Sequence, residues 1–153
     1  MSDPRRDAVV AEAESWLGTP FHHQARIKGV GVDCGNFQLG VYEALGHIPH
    51  VDVPYYPPDW AMHRDEEWFL SYLTSFSTEY EGPPAGRTPE PGDLVIFQFG
   101  RLYSHGAIVA PAWPRLIHAY WRIGKVCRGD AGDALLAYRR DGSPRLRRFF
   151  TRF

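Results

Sequence analysis

Cys34 follows Asp33 in VGVDCGNF, residues 30–37, where a loop punctuated by Gly29 and Gly31 gives way to a helical pattern. A thiol becomes a strong nucleophile when ionised, and the unpaired N–H groups and dipole of a helix N-terminus stabilise a thiolate. The same N–H groups can hold the oxyanion formed during attack. A small buried apolar residue is the competing reading of a free cysteine, and position alone does not separate the two. A cysteine nucleophile also needs an imidazole within hydrogen-bond reach and a partner that orients it. His105 in SHGAIV and His118 in LIHAY fall on successive predicted strands, which favours the nucleophile.

The elements that must position these residues are legible in outline. Ser2 or Asp3 caps a helix over 4–17, with Pro4 in its first turn and Val9, Ala13 and Trp16 on one face. Residues 18–33 form a loop. A second helix starts at Cys34 with Asp33 as N-cap, Phe37, Val41, Ala44 and Leu45 as its stripe, and Gly46 just past its end. Residues 47–58 are Pro-rich and read either as a lid over the site or as a connector. A third helix runs from Asp59 or Asp65 to Phe76. Beyond a turn-rich stretch, short β-branched or aromatic runs predict strands at 94–99, 104–110, 115–120, 124–128, 134–139 and 145–150. Helices first and an antiparallel sheet second make an α+β layout, with a helical part over about 4–76 and a sheet part over about 92–150.

Bulk composition narrows the function classes. At 153 residues the chain is one domain's worth, and 44% hydrophobic with 23% charged residues is a globular balance. A formal net charge of −1 argues against nucleic-acid binding or membrane attachment through a global field. No apolar run approaches spanning length, so no membrane insertion is expected. Two cysteines, Cys34 and Cys127, are too few for a disulfide scaffold. The N-terminal stretch lacks the apolar core of a secretory signal, so the chain is expected to be made in a cytoplasm and to remain there unless carried out.

The runs DCGNFQLGVYEALG, PGDLVIFQFGRLYSHGAIVA and LIHAYWRIGKV, in that order and with these gaps, resemble the NlpC/P60 family of papain-like cysteine peptidases. Residues 16–37, WLGTPFHHQARIKGVGVDCGNF, are similar to its phage-tail and gene-transfer-agent branch. The resemblance spans about residues 9–128. It implies a single catalytic domain over 1–153 in which N-terminal helices pack on one face of an antiparallel sheet. It implies roles as well: Cys34 as nucleophile, His105 as general base and then acid, His118 as the third residue holding the His105 ring. The implied reaction is thioester-mediated hydrolysis of a peptidoglycan stem peptide, between D-glutamate and a diamino acid, without a cofactor. The branch implies delivery on a phage or phage-like tail, with tail or baseplate proteins as partners, and the Arg-rich C-terminus RLRRFFTRF is the candidate attachment.

This chain departs from the family pattern in two places. Cys34-Gly35-Asn36 stands where relatives carry Cys-Ser-Gly, and Phe21 stands where relatives carry a Tyr that assists the oxyanion site. His23 or Gln24 is the candidate replacement donor, and Asp33 either contacts substrate or only caps the helix. These departures keep open a tail protein that retains the fold without activity, and a related thiol amidase or acyltransferase. His22 and His23 lack the spacing of a zinc site, so no metal is expected. His47, His50 and His63 show no partner pattern, and Cys127 reads as structural.

Overall fold

Residues 2–57 and 68–153 are described by the computed structural model. Asp3 caps α1 (Pro4–Ser15) by accepting from the Arg5 N–H at 2.9 Å, and Pro4 sits where a missing N–H costs nothing. Val9, Ala13 and Trp16 turn inward as the pattern predicts. The loop that follows contains a minimal hairpin, β1 (Arg26–Ile27) and β2 (Gly31–Val32).

α2 (Cys34–Ala44) is buried more completely than one stripe requires. Every residue from Gly35 to Tyr42 is buried, because α1 and residues 47–57 cover what the sheet leaves open. Gly46, at φ 72°, ends it in the left-handed region that glycine adopts freely. Its N–H and that of His47 bond the Glu43 and Tyr42 carbonyls, each at 3.0 Å. α3 (Trp68–Thr74) contributes buried Phe69, Leu70 and Leu73. The expected starts of this helix, Asp59 or Asp65, lie outside the described residues, as do His63 and the last residue of the Pro-rich segment.

Six antiparallel strands form the main sheet: β3 (Thr78–Tyr80), β4 (Leu94–Phe99), β5 (Leu102–Val109), β6 (Arg115–Tyr120), β7 (Lys125–Asp130) and β8 (Arg147–Thr151), in the order β3-β8-β4-β5-β6-β7. The helices cover one face, where Phe37, Val41 and Tyr42 meet Leu94, Ile96, Ile108 and Phe150. Val95, Phe97, Ala107, Leu116 and Phe149 point to the other face, under Trp113 and Leu136. A strand's alternation sends its side chains to both. Arg6 ties α1 to the sheet through a buried ion pair with Asp93 at 2.6 Å. Asp93 also accepts from the Tyr80 hydroxyl at 2.7 Å.

One strand expectation changes and another holds. Residues 134–137 form a single helical turn, α4 (Ala134–Ala137), instead of a strand, since short apolar runs fit either period and only Leu136 is buried. The strand expected at 145–150 forms as β8, which lies between β3 and β4, with Phe149 and Phe150 in the two cores. Arg148 chelates Glu79 at 2.7 Å, and Arg152 donates to the carbonyls of Phe76 and His47. Removing residues 145–153 would therefore remove an interior strand of the sheet.

Candidate active site

Asp33 builds the head of α2. Its backbone is extended (φ −100°, ψ 177°), and Oδ1 accepts from the Asn36 N–H at 2.9 Å and from Asn36 Nδ2 at 3.0 Å. Oδ2 accepts from the Gln24 N–H at 2.7 Å and from the Tyr56 hydroxyl. With all this and 3% exposure, Asp33 is an N-cap and structural hub. The unusual Gly35-Asn36 pair also has a packing reason. A Cβ at position 35 would stand 3.2 Å from the Phe69 ring, and Asn36 links Asp33 to Tyr56 and to Arg26.

Cys34 is the first residue of α2, and its thiol donates to the Ser104 carbonyl at 3.2 Å. The β5–β6 ladder covers only Ile108–Ile117 and Val109–Leu116. Ser104, whose carbonyl meets the sulfur, lies outside that ladder. N–H groups of Gly106, Gly35 and Cys34 favour the thiolate there. They do not prevail: burial first, then the Asp33 carboxylate, push the thiol up to about 12. The expectation that the helix start ionises the thiol is corrected accordingly, and the resting group is a neutral S–H.

Two histidines lie on these neighbouring strands. His105 on β5 and His118 on β6 join through Nε2 and Nδ1 at 2.8 Å. Both are buried, and burial holds His105 well below the usual histidine range and His118 at about 4. Two neutral rings joined this way share one N–H, one donating and the other accepting. His105 Nδ1 is buried and has no hydrogen-bond partner. The rings lie on the face of the sheet away from α2, where Phe97, Phe99, Tyr120 and Trp121 enclose His105. Gly106, the next residue, faces α2, and a Cβ there would collide with buried Gln38 at 2.7 Å. Gly129 makes the equivalent allowance for His118, whose Nε2 would stand 2.8 Å from an added Cβ.

The candidate oxyanion donors are directed elsewhere. His23 Nε2 meets the Tyr56 carbonyl at 2.6 Å, and Gln24 Oε1 accepts from the Tyr56 N–H at 3.2 Å. Both hold the Pro-rich segment, in which Tyr55 is 78% exposed and Tyr56 only 8%. Tyr56 is the site residue that sequence reasoning missed; its one signal was a pair of tyrosines in a segment otherwise read as connector. His50 sits between Glu43 and Asp52, His22 turns to the His23 carbonyl, and His47 packs on Tyr42 and Phe153. Cys34 and Cys127 are both free thiols. Among the described residues no group of three or more His, Cys, Asp or Glu converges to hold a metal. Nor is any described helix long and apolar enough to cross a membrane.

No protein-family model matches the chain, and no curated protein sequence matches it. Solved structures do, 22 chains in all. The NlpC/p60 domain of the peptidoglycan hydrolase SagA superposes with a TM-score of 0.56 at 22% identity, over 82% of this chain and 89% of that one. An NlpC/P60 family protein of Bacillus cereus gives 0.59 at 18% identity over 89% of this chain. A lipoprotein-like NLP/P60 family protein of Staphylococcus aureus gives 0.57, also at 18% over 89%. The chain spans 38% and 39% of those two proteins. At such identities the likeness is one of architecture: helices on one face of an antiparallel sheet, in the NlpC/P60 fold.

Proposed function

We propose that the protein is a cysteine peptidase that hydrolyses peptidoglycan stem peptides. The observation that carries this reading is the Cys34 thiol on the carbonyl of Ser104, the residue before His105 on β5, with His105 hydrogen-bonded in turn to His118. The NlpC/P60 fold, shared with a domain of a peptidoglycan hydrolase, supports the substrate class. The resemblance stated from the sequence supports the bond between D-glutamate and a diamino acid.

The mechanism starts from a neutral thiol and a neutral imidazole. The S–H swings from the Ser104 carbonyl to His105 Nδ1, which takes the proton as the sulfur attacks the amide carbon. The N–H groups at the head of α2 receive the oxyanion. His105 then gives the proton to the leaving amine, the C–N bond breaks, and a thioester remains. Water attacks that thioester, its proton passing to His105, and the C–S bond breaks to release the acid and restore the thiol. His118 accepts from His105 Nε2–H throughout and so keeps Nδ1 free for the proton.

Delivery on a phage-like particle rests on the resemblance of residues 16–37 alone, and incorporation of the chain into such particles tests it. The peptidase reading is tested by digesting purified sacculi with the wild type, Cys34→Ala and His105→Ala. Release of soluble fragments by the wild type only is expected. Equal release by Cys34→Ala overturns the reading.

A further inference from the structure

β8 starts before its outer neighbour can cover it. β3 pairs with it only as far as Tyr80 opposite Phe149, while on the inner side β4 reaches Phe97 opposite Arg147. The Gln98 N–H bonds the Leu146 carbonyl at 2.9 Å, so the next pair along that ladder, Phe97 and Arg147, is a non-bonded one. The Arg147 N–H and C=O therefore point outward, to the side where β3 has ended. There the chain turns away at Gly82, which lies so close on the Phe149 ring that a Cβ would collide with it. The Glu81 and Gly82 carbonyls accept from Arg87 and Gly86 inside that turn. Among the described residues the outward N–H and C=O of Arg147 have no hydrogen-bond partner.

Between this open edge and the turn lies a cleft of about 540 Å³, with Tyr80, Pro84 and Phe149 among its walls and the Arg147 side chain lining it. The guanidinium of Arg147 stands 5.3 Å from the Trp113 ring centroid and 5.5 Å from that of Phe149. Among the described residues it forms no ion pair, and burial alone holds it below the usual arginine range. Its neighbour differs, since Glu79 chelates Arg148 at 2.7 Å. Glu81, the other acid of the cleft, is exposed to water. A half-buried cation without a counter-charge is costly, and an open backbone edge is a template for another strand. Arg147 carries both features.

We propose that this cleft binds an extended peptide segment with an aspartate or glutamate opposite Arg147. The segment takes the path that β3 leaves, and its acidic residue exchanges one N–H and one C=O with the Arg147 backbone. Residues opposed in an antiparallel pair project to the same face with Cβ atoms about 5 Å apart, so the carboxylate falls beside the guanidinium. A basic residue at that position would face Arg147, and a neutral one would leave it unpaired. Phe97 separates Arg147 from His105 across the sheet, which sets the cleft apart from the peptidase site.

Nuclear magnetic resonance on the isotope-labelled protein tests the edge and its ligand in turn. In the free protein the Arg147 N–H should exchange with solvent about tenfold or more faster than those of Arg148 and Phe149, which the ladders hold. Acetyl-Val-Glu-Val-amide should shift the Arg147 N–H and slow its exchange. The matched glutamine peptide should bind about tenfold more weakly, the scale of one charge-assisted contact. Methylating the glutamate nitrogen removes the N–H that Arg147 accepts and should weaken binding by a similar factor. Arg147→Gln, which removes a side chain without an ion pair, should keep its fold and bind the two peptides equally. A protected Arg147 N–H in the free protein overturns the open edge. If that protection fades on dilution, a second copy of the chain fills the edge and the peptide assignment falls. No shift at millimolar peptide, equal binding of the glutamate and glutamine peptides, or a preference that survives Arg147→Gln overturns it as well.

Discussion

The thiol of Cys34 donates to the carbonyl oxygen of Ser104 at 3.2 Å, one residue short of His105 along β5. On the proposed mechanism the resting site stores its proton on sulfur and holds it on the backbone, one residue from the imidazole assigned to receive it. That mechanism then takes a swing of the S–H and a proton transfer, with no preformed ion pair.

That arrangement fixes how the thiol responds to pH. Burial and then Asp33 push Cys34 up to about 12, so alkylation by iodoacetamide should be slow at neutral pH and accelerate only in alkali. Asp33→Asn removes the negative charge and keeps the shape. The alkylation profile should shift to lower pH, while the fold loses roughly 1–3 kcal/mol from weakened bonds to Gln24, Asn36 and Tyr56. An unshifted profile would show that the carboxylate does not control the sulfur.

The histidine pair gives the fold an acid dependence of defined sign. His105 and His118 are both depressed below their unfolded range, His118 to about 4. The unfolded chain therefore binds more protons below about pH 6.5, the ordinary histidine value. The stability they contribute is full above that pH and is lost as pH falls towards 4, an effect on the order of a few kcal/mol. Melting temperature measured from pH 7 to 4 should drop in the wild type and drop less in His118→Gln. Parallel curves for the two would remove His118 as a source of the effect.

Gly106 and Gln38 are coupled by space. A Cβ on Gly106 would press into the Gln38 amide, which is wholly buried, so Gly106→Ala should cost about 1–3 kcal/mol and displace β5 at the site. Gln38→Ala opens the room and removes an amide that has no hydrogen-bond partner. The double variant should recover stability and cleavage relative to Gly106→Ala, read from urea unfolding and fragment release. Additive losses would mean that the two do not share the contact.

The sequence carried the helix heads and the central strands clearly. Asp3 and Asp33 sit before apolar-periodic runs, and LVIFQF and RLIHAY match β4 and β6 to the residue. What it could not carry were contacts between distant segments. Nothing local in VPYYPP says that one tyrosine reaches Asp33 while its neighbour stays in water. The Arg-rich C-terminus read as a surface because its charges are dense, but Arg148 and Arg152 find partners 69 and 76 residues away in Glu79 and Phe76. Cys34, His105 and His118 were visible as residue types on the right elements. The neutral thiol was not, because burial and the Asp33 charge act through three dimensions.

The most direct measurement is mass spectrometry of peptidoglycan digested by the wild type and by Cys34→Ala. The account predicts fragments with a newly freed diamino-acid amine from the wild type and none from the variant. Intact stem peptides after wild-type digestion of both diaminopimelate and lysine walls, or the same fragments from Cys34→Ala, would contradict it.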